Sequence, residues 1–468
     1  MSARAQIAVI GAGPAGLAAA TLAAKAGAST VLIDEQCAPG GQIYRGVTRA
    51  PARLMAALGD DYAEGLKLCH AAGAAKIEHL NAATVFELTH DREVYFTRHG
   101  QAHVLEADAV IVAAGALERP MPFPGWTLPG VMTAGAAQIA LKTAGLVPGD
   151  RTVLAGSGPL LYLLAAQLLN SGGRVAALVD TTPVANWRTA VVHLPRALAA
   201  SRYLRKGLGL LHTIRRHGVV RYRHAHSLIA RGGERVRRLG FKAGGREHEL
   251  ACDLLVVHCG VTPNTQLTRS LDLIHHFDTR SRSFNPRVDA WGETALERIL
   301  VAGDGAAIGG ATAAAHRGQL AALGALESLG LADRPTRDTQ ALPIRRALAR
   351  DLRVRPFLDA LYAPPPEFLR PVDDAFVCRC EEVTAGQIRE FVRMGCVGPN
   401  QTKAFGRPGM GPCQGRLCGL TVSEIIASER KVPVEDVGYY RIRPPIKPVT
   451  LGELAAMPVA REKATGRR

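Results

Sequence analysis

Six residues near the start, Gly11-Ala-Gly13-Pro-Ala-Gly16, limit what this chain can become more than any other feature. They follow a short apolar run, Gln6 to Ile10, that reads as a buried strand, and they open an alanine-rich run to about Ala26 that reads as a helix. A strand that turns on glycines into a helix is a dinucleotide-binding unit. Gly11 permits the turn, Gly13 leaves room for a pyrophosphate, and Gly16 lets helix and strand pack closely. Pro14 and Ala15 begin the helix, whose free N–H groups and positive dipole end face the phosphates. A second strand, Ser29 to Ile33, ends on Asp34, 23 residues after Gly11, where a carboxylate accepts from both ribose hydroxyls. Glu35 is a second candidate for that role.

The unit recurs from Arg151 to Asp180, which predicts two doubly wound α/β domains, each with a parallel sheet. The second loop, Gly156-Ser-Gly158-Pro-Leu-Leu161, keeps two glycines, but Leu161 stands where the third belongs. That substitution is expected to push the helix off its strand and partly block a pyrophosphate. Asp180, 24 residues after Gly156, is correctly spaced for a ribose. Three readings stay open here: working NAD(P)H chemistry, a structural or regulatory adenine nucleotide (NAD or ATP), or an empty site.

Later elements point to FAD in the first domain. Gly40-Gly41-Gln42 follows the acidic residue, Ala113-Ala114-Gly115 ends a buried strand, and Val301-Ala-Gly303-Asp304 precedes a helical run holding Gly309, Gly310 and Gln319. Together they resemble the thioredoxin-reductase and glutathione-reductase class of flavoproteins, in which the Asp matching Asp304 holds the ribityl chain. That class reduces disulfides with paired cysteines, and this chain lacks them. Cys37 has no partner four or five residues on, and Cys252 and Cys259 straddle a strand whose length holds them roughly 20 Å apart.

Four other cysteines form the sharpest motif. Cys378-Arg-Cys380 is followed by Cys413-Gln-Gly-Arg-Leu-Cys418, a four-thiolate set for a 2Fe–2S cluster. Structural zinc and free thiols are the alternatives, and the spacings of one and four residues fit zinc poorly. Cys396 reads as a buried apolar residue. The text resembles a bacterioferritin-associated-ferredoxin-like module, in the version fused to flavin subunits of opine oxidases, hydrogen cyanide synthase and proline or hydroxyproline dehydrogenases. Val31-Leu-Ile-Asp-Glu-Gln, Phe123-Pro-Gly-Trp-Thr-Leu-Pro-Gly130 and Arg443-Pro-Pro-Ile-Lys-Pro-Val-Thr-Leu451 extend the resemblance along the chain. It implies an alpha subunit that relays electrons from a catalytic FAD-dependent beta subunit, with a small ferredoxin-like gamma subunit as a further partner. Accordingly, no residue stands out as a general base on substrate, and His275, His276 and His316 read as structural or solvated. Two rivals remain open: an autonomous NAD(P)H-dependent reductase, and a non-enzymatic scaffold sensing iron or nucleotide.

The boundaries predicted are a discontinuous FAD domain over 1–148 and 284–334, and a second dinucleotide-binding-like domain over 149–283. A Pro-rich linker over 335–371, a cysteine module over 372–435 and a tail over 436–468 complete the chain. Charge is uneven: between Arg188 and Arg238 thirteen Lys or Arg face one acid, Glu234. Sparse aromatics there disfavour nucleic acid, leaving a phosphate, an acidic partner or anionic lipid. The longest apolar run, Ile7 to Ala24, is broken by glycines, so no transmembrane helix is expected. The protein reads as cytoplasmic, and peripheral contact with the inner face of a membrane is compatible with the basic block. The first glycine loop lies some 400 residues before Cys413, so flavin retention is expected to survive loss of that cysteine.

Overall fold

The computed structural model describes residues 3–149 and 151–457. Its first sheet runs in the order Ile77–Leu80, Thr30–Ile33, Ala3–Ile10, Gln101–Val112, Glu93–Arg98, Ala83–Leu88. Ile299–Val301 lies alongside the end of Gln101–Val112. The strands that carry the glycine loop and Asp34 are parallel, and the last two form an antiparallel hairpin that covers an edge. The central strand Ala3–Ile10 is buried on both faces from Ile7 to Ile10, as parallel strands between helices are.

The second sheet is also parallel, in the order Val220–Tyr222, Val175–Asp180, Thr152–Ser157, Leu254–Cys259, Val131–Thr133. Its last strand precedes residue 149, so the segment from Val131 joins the second sheet although the sequence placed it with the first. Two short antiparallel strands, Ala116–Glu118 and Val261–Pro263, tie the two sheets together. The basic stretch folds into helices Val184–Val191, Leu194–Leu198 and Ser201–Arg216.

The expected linker is largely helical, which corrects the sequence reading. Arg334–Leu352 is one 19-residue helix, followed by Arg355–Leu361 and Pro366–Leu369. Pro335 falls in the first turn, where a missing N–H costs nothing, and the Asp333 carboxylate caps the Thr336 N–H at 2.8 Å. Pro343 lies inside the helix. Ala341 packs on Leu320 and Leu323 of helix Ala311–Ser328, and Arg337 and Arg345 stack on Trp291. Tertiary packing overrides the proline signal.

The cysteine module docks on both sheets. The Trp126 indole N–H donates to the Phe376 carbonyl at 2.7 Å, which gives the Phe123–Gly130 motif its place. Glu424 of helix Gly419–Arg430, almost fully buried, receives the Arg282 guanidinium in a two-point ion pair. The tail returns as an extended segment: the Ile446 N–H donates to the Phe86 carbonyl at 2.8 Å, and Lys447 pairs with Glu35.

Removing one half of a desolvated ion pair leaves the other charge uncompensated. Glu424→Ala is expected to destabilise the docked module by roughly 3 kcal/mol, and the double variant Arg282→Met/Glu424→Met to recover part of that loss. Thermal melts of the three variants check this, and an unchanged melt for Glu424→Ala would contradict it.

Candidate functional site

The two glycine loops open into one cavity of about 2350 Å³, larger than the few hundred to about 1,000 Å³ of an ordinary small-molecule pocket. Its first half is built on Gly11–Gly16. A Cβ at Gly16 would fall 1.7 Å from the Gly11 carbonyl oxygen, and one at Gly11 would fall 2.6 Å from that of Ala113. The protein itself therefore demands these two glycines. Gly13 differs: a Cβ there would meet only Gly41 Cα, at 3.9 Å. Nothing in the fold forbids a side chain at Gly13, so the room it leaves belongs to whatever fills the cavity.

The neighbouring loop is stitched to this one. The Gly40 N–H donates to the Ala12 carbonyl at 2.9 Å, and a Cβ at Gly41 would lie 2.7 Å from Gly13 Cα. Asp34 Oδ2 accepts from the Ala12 N–H at 2.5 Å and Oδ1 from the Gln36 N–H at 2.7 Å. Burial pushes this carboxyl above its usual range against those two bonds. Each oxygen keeps a lone pair for a ribose hydroxyl. Glu35, the other candidate, is instead paired with Lys447. Asp304 Oδ1 accepts from the Gly309 and Gly310 N–H groups at 2.7 and 3.1 Å. Asp304 lines the cavity, and among the described residues no donor is bonded to its other oxygen. Gln42, Ala114 and Gly115 line the same half.

The second half is built differently. Leu161 does not protrude toward a ligand as expected; it is fully buried in the core beneath its helix. No gap opens between helix and strand, but Gly158 takes φ +126° where Gly13 has −77°, so the loop follows another path. The His258 ring backs onto it: a Cβ at Gly158 would lie 2.9 Å from His258 Cδ2. His258 Nδ1 is 2.5 Å from Glu118 Oε1, and Glu118 Oε2 accepts from the Gly135 N–H at 2.7 Å. Asp180 is largely occupied. Its Oδ2 accepts from the Tyr162 hydroxyl at 2.5 Å and from Arg221 at 3.0 Å, and its Oδ1 from the Thr182 N–H at 2.9 Å. Beyond it the cavity continues to Thr182, Trp187, Arg223 and His224.

Two features escaped the sequence reading. His258 lies near the end of an otherwise apolar strand, Leu254–Cys259, and a polar residue in that position was the available signal. Lys142 is buried on helix Ala134–Ala144 and donates to the Gln42 carbonyl (3.2 Å), the Ile43 carbonyl (2.7 Å) and Gln138 Oε1 (2.9 Å). It thus holds the Gln42 loop, and the Gln138–Lys142 spacing on one apolar helix face was the trace it left.

The cysteines stand as two pairs. The Cys418 thiol donates to the Cys378 sulfur and, with the backbone N–H groups of Gly409, Glu381 and Cys380, holds Cys378 down to about 6 despite burial. Cys380 faces Cys413 across the other pair, and Gly411 packs so tightly that a Cβ would lie 2.3 Å from Cys380 Cβ. Among the described residues no three metal-ligating groups close on one point. The Tyr440 hydroxyl is buried beside Cys418 and Thr402. Cys396 is buried, and Cys252 and Cys259 are likewise unpaired thiols.

The two kinds of glycine should part on substitution. Gly13→Val should fold and lose FAD, whereas Gly16→Val should fail to fold, and Asp34→Ala should weaken FAD by about 1.5–3 kcal/mol; flavin content after desalting and a thermal melt separate them. Burial, with repulsion from Arg45, brings Lys142 from its ordinary value near 10.5 down to about 7. Between those values the unfolded chain binds the extra proton, so stability rises with pH through this group, by up to about 1.4 kcal/mol per pH unit. Denaturant unfolding from pH 7 to 10 should show that rise in the wild type and a flatter curve in Lys142→Met.

Residues 5–320 match the pyridine nucleotide-disulphide oxidoreductase family, and residues 372–458 match the sarcosine oxidase A3 domain. The chain is 46% identical over 461 residues to an opine oxidase subunit of Agrobacterium tumefaciens, covering 96% of this chain and 91% of that one. It is 31% identical over 460 residues to hydrogen cyanide synthase subunit HcnB of Pseudomonas protegens, covering 94% and 95%. Its fold matches L-proline dehydrogenase of P. horikoshii with a TM-score of 0.73 at 20% identity, over 97% of this chain and 80% of that one. The expected two-domain flavoprotein fold and the family resemblance are both met. The chain belongs to the pyridine nucleotide-disulphide oxidoreductase family, in the group that holds these opine oxidase subunits, and is a flavoprotein subunit of an oxidoreductase.

Proposed function

We propose that this chain is the FAD- and 2Fe–2S-carrying alpha subunit of a heteromeric dehydrogenase that oxidises the C–N bond of an amino acid or secondary amine of opine, proline or hydroxyproline type. Its task is to relay electrons from a catalytic beta subunit to an acceptor. The observation that carries this reading is the pairing of Cys378 with Cys418 and of Cys380 with Cys413, in a module that borders the flavin half of the cavity. Two thiol pairs suit a binuclear cluster, in which two irons share four thiolates, better than a single tetrahedral zinc. The N–H groups directed at Cys378 and the Tyr440 hydroxyl beside Cys418 are donors of the kind that stabilise sulfur ligands and tune a cluster.

FAD and the cluster supply the redox chemistry when bound; the chain's own residues hold them. Gly11, Gly13, Pro14 and Ala15 would receive the pyrophosphate, Asp34 the ribose and Asp304 the ribityl chain, with Gly41, Gln42, Ala114 and Gly115 forming the walls and Gly16 and Gly303 permitting the close packing behind them. The names of the relatives support an amino-acid or amine substrate and the presence of further subunits; a catalytic beta chain and a small gamma chain are the partners this reading assigns. No helix among the described residues is long and apolar enough to cross a membrane.

The NAD(P)H-reductase rival is disfavoured by one specific arrangement: Tyr162 and Arg221 occupy the Asp180 oxygen that a ribose would need. A nucleotide held at Gly156, Gly158 and Asp180 would then serve structure or regulation, with Arg221, Arg223 and His224 supplying its phosphate contacts. Purified protein should contain about two iron and two acid-labile sulfide per chain, and anaerobic NADH should leave its flavin largely oxidised. Zinc in place of iron would overturn the cluster, and rapid stoichiometric bleaching by NADH would restore the reductase reading.

A further inference from the structure

The loop between the last two cysteines is also a wall of the flavin cavity. Arg416 lines that cavity beside Ile446 and Lys447 of the returning tail. Its Nη1 donates to the Cys413 carbonyl at 3.3 Å and its Nη2 to the Ile446 carbonyl. Both contacts are to neutral backbone oxygens, and among the described residues Arg416 forms no ion pair. The charges that reach it are that of the neighbouring Cys413 thiol and, behind it, that of Glu35, which is already paired with Lys447. A half-buried guanidinium without a carboxylate, facing the cavity that Asp34 also lines, is suited to an anionic or π-stacking occupant.

The same junction has a second unsatisfied group. Gln266 is 4% exposed and lines the cavity. Its Nε2 donates to the Gln414 carbonyl at 3.3 Å, and its Oε1 is buried with no partner. An orphan acceptor and a cation without a carboxylate partner therefore border one space, and each is bonded to the backbone of the cysteine loop. Gln414 in turn donates to the Pro445 carbonyl at 2.6 Å, and the Tyr439 hydroxyl donates to the Gly415 carbonyl at 3.0 Å.

We propose that Arg416 is a flavin-site residue supplied by the cysteine module, and that through it and Gln266 the binding of FAD and the order of the Cys413–Cys418 loop are thermodynamically coupled. This rests on the cluster reading for what orders the loop, and on the cavity alone for what Arg416 contacts. The separation of some 400 residues had implied independence; in the folded chain the two sites share a wall. Whatever fixes the loop places Arg416 and thereby favours the dinucleotide, and by linkage FAD favours the ordered loop to the same degree.

The test uses the full chain, stripped of FAD and titrated back by flavin fluorescence, as wild type, Arg416→Gln, Cys413→Ser and the double variant. Arg416→Lys, which keeps the charge, controls for folding. Arg416→Gln should retain iron yet bind FAD about tenfold or more weakly, and Arg416→Lys should lose less. Cys413→Ser should also weaken FAD, and the double variant should be no weaker than Cys413→Ser alone, because Arg416 is already misplaced. Conversely, the wild type should release iron to a chelator more slowly when FAD is bound. Wild-type FAD affinity in Arg416→Gln would overturn the assignment of Arg416, and losses that simply add in the double variant would overturn the coupling. Absence of iron from the wild type would defeat the cluster reading separately, while the Arg416→Gln titration would still decide the flavin contact.

Discussion

Two helices touch at Ala15, and the flavin half of the cavity exists because they can. A Cβ on Gly318 would fall 2.0 Å from the Ala15 carbonyl oxygen, and one on Gly303 would fall 2.7 Å from the Ala15 Cβ. Only residues without a side chain permit helix Ala311–Ser328 to lie this close to helix Pro14–Lys25. That contact brings the Gly303–Gly310 turn to the mouth of the first glycine loop, so that Asp34 and Asp304, 270 residues apart, border one space. The helix N-termini then face the same occupant with their free N–H groups.

From this contact outward the structure is a set of ties that hold the two sheets, the cysteine module and the tail together. The strand pair Ala116–Glu118 and Val261–Pro263 joins the two sheets. The buried Arg119 guanidinium donates to the carbonyls of Ser281 and Arg282 at 2.7 and 2.9 Å, and the Arg282 side chain reaches onward to Glu424 in the module. Trp126, Arg416 and Lys447 add three more links between module, tail and sheets. On the function proposed above the chain's work is to hold redox groups within reach, so that rigid placement would be its function and the chemistry would be left to the cofactors.

Much of the site was legible because glycine and cysteine leave unambiguous marks. Gly11, Gly16 and Gly41 each stand where a Cβ would strike backbone, and spacing alone located them. Asp34 and Asp304 were legible from their places at strand ends. The second loop was read less well: Leu161 was expected to obstruct a ligand, but a helix with an apolar face has room to bury it, and the groups that crowd Asp180 and Gly158 are Tyr162, Arg221 and His258, which approach from other positions. The Pro-rich stretch was expected only as a linker, and its helix was not foreseen although Pro335 sits in a first turn and is compatible with one.

The sequence by itself determined the local units: which strands end in glycine turns, which carboxylates lie at ribose distance, and which four thiols share a module. Those follow from nearest-neighbour sterics and short spacings, which a linear chain carries in full. Only the tertiary structure decided which units face one another. Lys142 clamps the Gln42 loop from 100 residues away, Asp180 is occupied by a neighbouring strand, and Arg416 looks from the cysteine loop into the flavin cavity. Such pairings depend on how helices and sheets pack, and packing is set by the summed shape and burial of many side chains, a quantity that no single motif encodes.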